Sequence, residues 1–206
     1  MKLFVFDFDS TLIDGETLDI LGDSFGVGKD IKAITSKAMS GEIGFFSSLV
    51  QRVRLLEGMS IDKVNATCEN LPLTKGAKST IRELKKMGHK VLVFSGGFTN
   101  ATTVAKRKLG FDEAFANTLD VRSNVLSGFV GGGMMFEESK GIMLSKIQNL
   151  CSISKKDTAV VGDGANDISM FKHASLRFAF CAKYALKKYA NIIIDKKDLS
   201  IILDEV

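Results

Sequence analysis

Two aspartates, Asp7 and Asp9, follow the apolar run Leu3–Phe6 near the start of the chain. Because side chains alternate along a strand, a strand through this run would place both carboxylates on one face. An apolar run without polar alternation favours a strand buried on both sides, as in a parallel sheet. Open α/β sheets bind ligands beyond the carboxyl ends of their strands, where these carboxylates would lie. An isolated Asp-x-Asp is more often an ordinary solvated strand end, so the interpretation depends on partners elsewhere.

Three further polar clusters lie where strands are predicted to end or a helix to begin. Ser95-Gly96-Gly97 follows the apolar strand Val91–Phe94, and its glycine amides could approach an anion closely. The run Asp163–Asp167 follows a second apolar strand, Thr158–Val161, and holds two carboxylates and one amide. Lys140 stands at the start of a predicted helix. A turn, a helix cap and a surface lysine are the ordinary alternatives when each cluster is taken alone.

Together the clusters supply the groups that phosphoryl transfer requires. Carboxylates with room for water suit Mg²⁺, a hard cation that prefers octahedral oxygen ligands. A lysine and a serine beside such a metal suit a phosphoryl group, whose transfer depends mainly on positioning and charge neutralisation. One aspartate could be the nucleophile that forms an aspartyl-phosphate, which leaves the other for proton transfer. The clusters therefore predict a Mg²⁺-dependent phosphoryl-transfer site.

The composition is that of an ordinary globular protein and narrows the function classes. The chain has 206 residues, of which 45% are hydrophobic and 25% charged, enough for one core with a small inserted subdomain. No apolar run approaches the ~18 residues of a membrane helix, and the run before Asp7 is too short for a signal peptide, so we expect a cytoplasmic protein. The net charge of +4 is modest and the C-terminal lysines are dispersed, which favours a solvated face over nucleic-acid binding.

The cysteines and histidines suggest no chemistry of their own. Cys68, Cys151 and Cys181 are odd in number and lack Cys-x-x-Cys spacing, so we predict buried thiols rather than a disulfide framework or a zinc site. Nothing pairs His89 or His173 with a nucleophile, and we assign them no catalytic role.

The order of the predicted elements indicates an α/β fold with an insertion. Helical spacings replace the strand pattern over residues 16–71 and predict four short helices, which Pro72 closes. Beyond Pro72, helices and strands alternate, as in a mostly parallel sheet with helices on both faces. A glycine-rich hairpin is also predicted over 121–136. We therefore predict a core of residues 1–15 and 72–206 with an inserted helical cap of residues 16–71.

The motifs are similar, in order and context, to those of the haloacid-dehalogenase superfamily of phosphatases. They are Asp7–Thr11, Ser95–Gly97, Lys140 and Gly162–Asp167. Nearly end to end, the chain resembles the phosphoserine phosphatases of that superfamily. The resemblance implies a Rossmann-like three-layer core with a mostly parallel sheet, and a helical-bundle cap.

The resemblance also implies roles for the four aspartates. Asp7 would be the nucleophile and a Mg²⁺ ligand. Asp9 would protonate the leaving oxygen, then take a proton from the attacking water, and its backbone carbonyl would bind Mg²⁺. Asp163 would complete the protein ligands of the metal, and Asp167 would support them.

The remaining implied roles concern substrate binding. Four groups would hold the phosphate: Ser95, the Gly96 amide, Lys140 and Asn166. In the cap, Glu16 would pair with a substrate ammonium and Arg52 with a substrate carboxylate, a bidentate arrangement that suits arginine. Met39 and Phe45 would shield the site, with plain helix packing as their alternative.

The implied activity is Mg²⁺-dependent hydrolysis of O-phospho-L-serine to serine and phosphate, the last step of serine biosynthesis. We expect a small-molecule substrate, no nucleic acid or membrane partner, and a monomer or homodimer. Two alternatives stay open: another small phosphomonoester or a phosphotransfer within the same superfamily, and a phospho-acceptor signalling module. The predicted cap and a proton-transfer group at Asp9 argue against the signalling module.

Overall fold

The computed structural model describes residues 1–39 and 41–206, and its centre is a seven-stranded sheet. The strands are β1 (Leu3–Asp7), β2 (Lys90–Phe98), β3 (Glu113–Arg122), β4 (Val125–Gly132), β5 (Thr158–Gly162), β6 (Leu176–Phe180) and β7 (Ile192–Ile194). They lie in the order β4-β3-β2-β1-β5-β6-β7, and neighbours are parallel except β3 and β4, which are antiparallel. The prediction of a mostly parallel sheet is confirmed.

Strand β1 lies in the middle of the sheet, between β2 and β5, and is buried throughout. Phe4 and Phe6 join the core on one face, whereas Leu3 and Val5 join the core on the other. Burial on both faces explains why this run is apolar without alternation. Asp7 is the last residue of the strand, so it lies at the carboxyl end of the sheet.

Helices cover both faces of the sheet and complete three layers. The elements on the face of Phe4 and Phe6 are α5 (Ala77–Lys86), α6 (Thr99–Leu109) and a C-terminal 3₁₀ segment (Leu199–Glu205). The elements on the opposite face are α7 (Ser139–Cys151), α8 (Ile168–Phe171) and α9 (Tyr184–Lys187). This is the three-layer α/β architecture that the sequence predicts.

Within the described residues, four helices stand between β1 and α5, where the spacing predicts them. They are α1 (Thr17–Phe25), α2 (Gly28–Met39), α3 (Phe45–Arg54) and α4 (Ile61–Glu69). They pack against one another, and their buried apolar residues belong to one cluster. Two backbone hydrogen bonds join the entering and leaving segments, from Asp14 N–H to the Pro72 carbonyl (2.8 Å) and from Thr74 N–H to the Leu12 carbonyl (3.0 Å). The division into core and cap stays a prediction.

The hairpin of β3 and β4 braces the inserted helices from the edge of the sheet. Its turn residues Ser123 and Asn124 both have positive φ (49° and 65°), as in a type I′ turn. A hairpin is confirmed, but it spans residues 113–132 rather than the predicted 121–136, because its first strand is β3. The hairpin also accepts two hydrogen bonds, one from the turn before α4 and one from the first residue of α4. Gly58 N–H donates to the Leu126 carbonyl (2.8 Å), and Ile61 N–H donates to the Asn124 carbonyl (3.0 Å).

Strand β2 continues through Ser95–Gly97, whereas the sequence predicts that this strand ends at Phe94. The pairing of β2 with β3 shifts register between Phe94 and Phe98, so the intervening segment leaves the regular ladder. The polar cluster therefore interrupts a strand rather than following one.

The cysteines differ from one another in exposure. Cys68 is buried, as predicted, but Cys151 and Cys181 are exposed, so the prediction of buried thiols is wrong for these two. Cys151 is the last residue of α7 and Cys181 lies just beyond β6, so both stand at the end of an element rather than within its buried face. No helix of the described part combines the length and the apolar character needed to cross a membrane.

Candidate active site

Asp7 and Lys140 form a buried ion pair at the carboxyl end of β1, with side chains only 3% and 4% exposed. The Lys140 ammonium donates to the Asp7 carboxylate and, at 2.6 Å, to Oδ1 of Asp167. Burial opposes the charge on Lys140, but the two carboxylates outweigh it and raise its pKa above the ordinary value. Lys140 is the second residue of α7, so this helix carries a fixed positive charge to the end of β1.

Asp7, Asp163 and Asp167 bring their carboxylates together, with one oxygen of each within 4.8 Å of the others. Oδ2 of Asp167 accepts the N–H groups of Asp163 (3.0 Å) and Gly164 (3.1 Å), which fixes the loop after β5. Burial and the charge of Asp167 raise the pKa of Asp163 to about 7 and also raise that of Asp7. Three ionised carboxylates and the Lys140 ammonium sum to a formal charge of −2. Such a set of oxygen donors fits a hard divalent cation.

Asp9 lies just beyond β1, and its two carboxylate oxygens have different surroundings. Oδ1 accepts two hydrogen bonds from Thr17, one from the backbone N–H (2.6 Å) and one from the hydroxyl (2.5 Å). Oδ2 accepts a longer hydrogen bond from the Ser95 hydroxyl (3.3 Å). Burial and the Glu16 carboxylate raise the pKa of Asp9 to about 6. A carboxyl group that titrates near neutral pH suits both halves of a proton-transfer cycle.

The irregular segment of β2 faces Asp9 and is held from both sides. The buried Ser95 hydroxyl accepts the Gly97 N–H (2.9 Å) while it donates to Asp9. A Cβ on Gly97 would lie 2.9 Å from Oδ2 of Asp9, so only glycine permits this close approach. A Cβ on Gly96 would lie 3.1 Å from Cζ of Phe45, which places the Phe45 ring of α3 directly over this segment.

Glu16 and Arg52, the predicted pair for an ammonium and a carboxylate, are both partly buried. The Ser10 hydroxyl donates to Oε1 of Glu16 (2.7 Å), which orients that carboxylate. Arg52 donates from Nε to the Ser48 carbonyl (3.3 Å) and from Nη1 to the Thr35 hydroxyl (3.4 Å). Burial lowers the pKa of Arg52, and the Glu16 carboxylate is the largest influence opposing this shift. The two side chains therefore lie within electrostatic range of each other.

Two of the predicted site residues are less closely tied to the cluster. Asn166 is partly buried in the 3₁₀ turn after β5, and its Oδ1 would lie 2.6 Å from a Cβ on Gly164. Met39 ends α2, but its side chain lies outside the described residues. Its role in shielding the site therefore stays a prediction.

Comparison with known proteins shows the family of this chain. Residues 1–175 match the family model of the haloacid dehalogenase-like hydrolases. A phosphoserine phosphatase of Wolinella succinogenes is 55% identical over 203 residues, which are 98% of this chain and 98% of that protein. One of Methanocaldococcus jannaschii is 49% identical over 202 residues, which are 98% of this chain and 96% of that protein. The chain belongs to the phosphoserine phosphatase family of these hydrolases.

Solved structures of phosphoserine phosphatases superpose closely on this chain. One, described as a phospho-aspartyl intermediate analogue, has a TM-score of 0.94 at 48% identity and covers 100% of this chain and 98% of its own. A second, described as a substrate-bound complex, matches with the same score, identity and coverage. The resemblance and the fold predicted from the sequence are confirmed, and the chain is a phosphatase of the hydrolase class.

The structure adds residues that the sequence did not point to. Thr17 provides two of the hydrogen bonds to Asp9, and Ser10 orients Glu16. The buried Asn117 donates to the Gly96 carbonyl (3.0 Å) and accepts the N–H of Met134 (2.9 Å). It thereby links the Ser95–Gly97 segment to the loop before α7. None of these contacts has a sequence signal, because each one joins residues that only the folded backbone brings together.

Proposed function

We propose that this protein hydrolyses O-phospho-L-serine to L-serine and phosphate through a phosphoaspartate on Asp7. The observation that carries the proposal is that two different carboxyl groups lie at the end of β1. Asp7 is held by the buried Lys140, and the pKa of Asp9 is raised to about 6. The names of the related proteins and the substrate-bound complex support the choice of phosphoserine.

In the first half-reaction, a carboxylate oxygen of Asp7 attacks phosphorus and the bond from phosphorus to the seryl oxygen breaks. Asp9 gives its proton to the departing seryl oxygen, so serine leaves as a neutral alcohol. Lys140, Ser95 and the Gly96 amide stabilise the negative charge of the transferring phosphoryl group. Asn166 contributes a further hydrogen bond to the phosphate in this proposal.

In the second half-reaction, water attacks the phosphoaspartate and the bond between phosphorus and the Asp7 oxygen breaks. Asp9, now ionised, takes a proton from the attacking water and returns to its starting state. Mg²⁺, held by Asp7, Asp163 and the Asp9 carbonyl, would supply charge neutralisation at the phosphoryl oxygens when bound. Asp167 keeps the Asp163 loop and the Lys140 ammonium in place through its two oxygens.

Recognition of the serine moiety is assigned to the predicted cap. Glu16 would accept the substrate ammonium, and Arg52 would donate to its carboxylate. Phe45 and Met39 would exclude water when the cap closes over the substrate. A cytoplasmic location and a monomeric or homodimeric state remain part of the proposal, to be checked by cell fractionation and light scattering.

The proposal is tested by phosphate release from a substrate panel, with Mg²⁺ and with EDTA. The panel contains O-phospho-L-serine, O-phospho-L-threonine, O-phosphoethanolamine and 4-nitrophenyl phosphate. We expect the highest kcat/KM for phosphoserine, dependence on Mg²⁺, and loss of turnover in Asp7→Asn. Equal or better turnover of another substrate would reassign the activity, and a long-lived phosphoprotein without phosphate release would favour the signalling module.

A further inference from the structure

Thr17 makes two contacts to Asp9 that no other residue duplicates in the described structure. It is the first residue of α1, and its side chain is buried, with 1% of the residue exposed. Its N–H is one of the helix-terminal donors that lack a partner within the helix. Glu16, which precedes it at the cap position, makes no capping hydrogen bond with its side chain. Asp9 therefore accepts a backbone N–H at the start of α1 that would otherwise lack a partner, and α1 in turn fixes the position of the Asp9 carboxylate.

The two contacts distinguish the oxygens of the Asp9 carboxyl group. A carboxylate oxygen has two lone pairs, and both lone pairs of Oδ1 face Thr17 donors. A proton on Asp9 would consequently reside on Oδ2, because Oδ1 is committed as an acceptor. Oδ2 is the oxygen that faces Ser95 and the glycine backbone, on the side where the phosphoryl group is proposed to bind.

We propose that Thr17 is a positioning residue that fixes Asp9 with Oδ2 directed at the leaving group. This inference rests on the proposed function, because it concerns the proton given to the departing alcohol. Ser95 alone holds Oδ2 with a long hydrogen bond of 3.3 Å, so the orientation of the carboxyl plane depends mainly on Thr17. The contact also ties the acid to the first helix of the predicted cap.

The matched variants are Thr17→Val and Thr17→Ser. Valine keeps the branched shape and the backbone N–H but removes the hydroxyl, whereas serine keeps the hydroxyl. The substrates differ in their need for an acid: the seryl alkoxide requires protonation to leave, and 4-nitrophenolate leaves without it. For both substrates kcat/KM reports the steps up to release of the alcohol or phenol, which isolates the first half-reaction.

We expect Thr17→Val to lower kcat/KM about 10- to 100-fold for O-phospho-L-serine, part of the usual contribution of a general acid. For 4-nitrophenyl phosphate we expect Thr17→Val to lower kcat/KM less than about 3-fold, because this leaving group needs no general acid. Thr17→Ser should lower kcat/KM less than about 3-fold with either substrate, because serine keeps the hydroxyl. Equal losses on both substrates would show that Thr17 only supports the helix, and full activity on phosphoserine would likewise overturn the inference.

Folding and substrate identity are controlled separately. Thr17→Ala also removes the hydroxyl and suits the start of a helix, so it replaces the valine variant if that protein does not fold. The melting temperatures of the variants show whether a loss of kcat/KM follows the loss of stability rather than the nature of the leaving group. If the wild type prefers another alkyl phosphate, the proposed function fails, and the same comparison of alkyl and aryl substrates still decides the role of Thr17.

Discussion

Phe46 on α3 stacks on Phe136 in the loop before α7, with ring centroids 5.1 Å apart and an angle of 9° between the rings. Both rings are partly exposed, by 42% and 57%, so the pair lies at the surface beside the site. The preceding residue, Phe45, covers Gly96. Successive residues of one helix thus contact the two segments that carry Ser95 and Lys140. Any opening of the predicted cap at this side must break the stacked pair.

Loss of the stacked pair should weaken substrate binding without altering the chemistry. An aromatic pair contributes about 0.5–1.5 kcal/mol beyond its buried area, so Phe136→Ala should raise KM for O-phospho-L-serine about 2- to 10-fold by favouring the open form. Phe46→Ala should do the same, and the double variant should be no worse than either single one. Steady-state kinetics of the three variants measure this coupling.

Phe129 provides the matched control for this cycle. It is exposed on β4, by 61%, and its ring lies under the guanidinium of Arg122 rather than in the stacked pair. Phe129→Ala should leave KM unchanged. Additive effects of Phe46→Ala and Phe136→Ala would contradict a shared contact between cap and core.

Substrate analogues separate the proposed roles of Glu16 and Arg52. O-phosphoethanolamine lacks the carboxylate of phosphoserine, and 3-phosphoglycerate carries a hydroxyl in place of the ammonium. Arg52→Ala should lower kcat/KM for phosphoserine about 10- to 100-fold, because hydrogen bonds to charged groups contribute about 1.5–3 kcal/mol. Its effect on phosphoethanolamine should be small.

The reciprocal variant, Glu16→Gln, should show the reverse pattern. It should penalise phosphoserine and phosphoethanolamine alike and spare 3-phosphoglycerate, because only the first two substrates carry an ammonium. The kinetic constants of both variants on all three substrates test the assignment. If Arg52→Ala affects phosphoserine and phosphoethanolamine equally, Arg52 does not read the carboxylate.

Asp198 should make folding stability sensitive to acid. Its carboxylate accepts hydrogen bonds from the hydroxyl and the N–H of Ser200 and forms an ion pair with Lys75 (2.9 Å). These interactions lower the pKa of Asp198 to about 2. Since the pKa is higher in the unfolded chain, the stabilisation is present above about pH 4 and is lost as the pH falls toward 2. Urea unfolding of wild type and Asp198→Asn should therefore differ at pH 5 and converge near pH 2. Parallel curves across this range would exclude the effect.

The polar clusters could be predicted from the sequence because strand ends and helix starts are local features. Asp7 follows an unbroken apolar run, and Lys140 opens a helical pattern, so their positions at the edge of the sheet follow from chain order and parallel pairing. The mostly parallel sheet and the four helices of the insertion were predicted from such local patterns as well. What these patterns specify is which segment carries a residue, not which atom it contacts.

The contacts missed by the sequence depend on backbone turns that have no periodic signal. Thr17 reaches Asp9 because the chain between them folds back, with the Ser10 N–H bonded to the Gly15 carbonyl (2.9 Å) and Ser10 at a positive φ of 58°. The stacked ring pair of Phe46 and Phe136 likewise joins segments that are distant in sequence. Both require the tertiary arrangement before they can be recognised.

A divalent cation should stabilise this protein through the Asp163 carboxylate. Three carboxylates are buried together at the site, those of Asp7, Asp163 and Asp167, and Lys140 pairs with the first and the last of them. Burial and the charge of Asp167 raise the pKa of Asp163 to about 7. At 100 times its dissociation constant, Mg²⁺ should add about 2.7 kcal/mol to the free energy of unfolding, or about 5–10 °C in Tm. Asp163→Asn should abolish this increase, yet in EDTA it should melt at or above the wild type, because one crowded negative charge is gone. Thermal melts of both proteins, with Asp195→Asn as a surface control, measure these opposite effects, and an undiminished response to Mg²⁺ in Asp163→Asn would show that Asp163 is not a ligand.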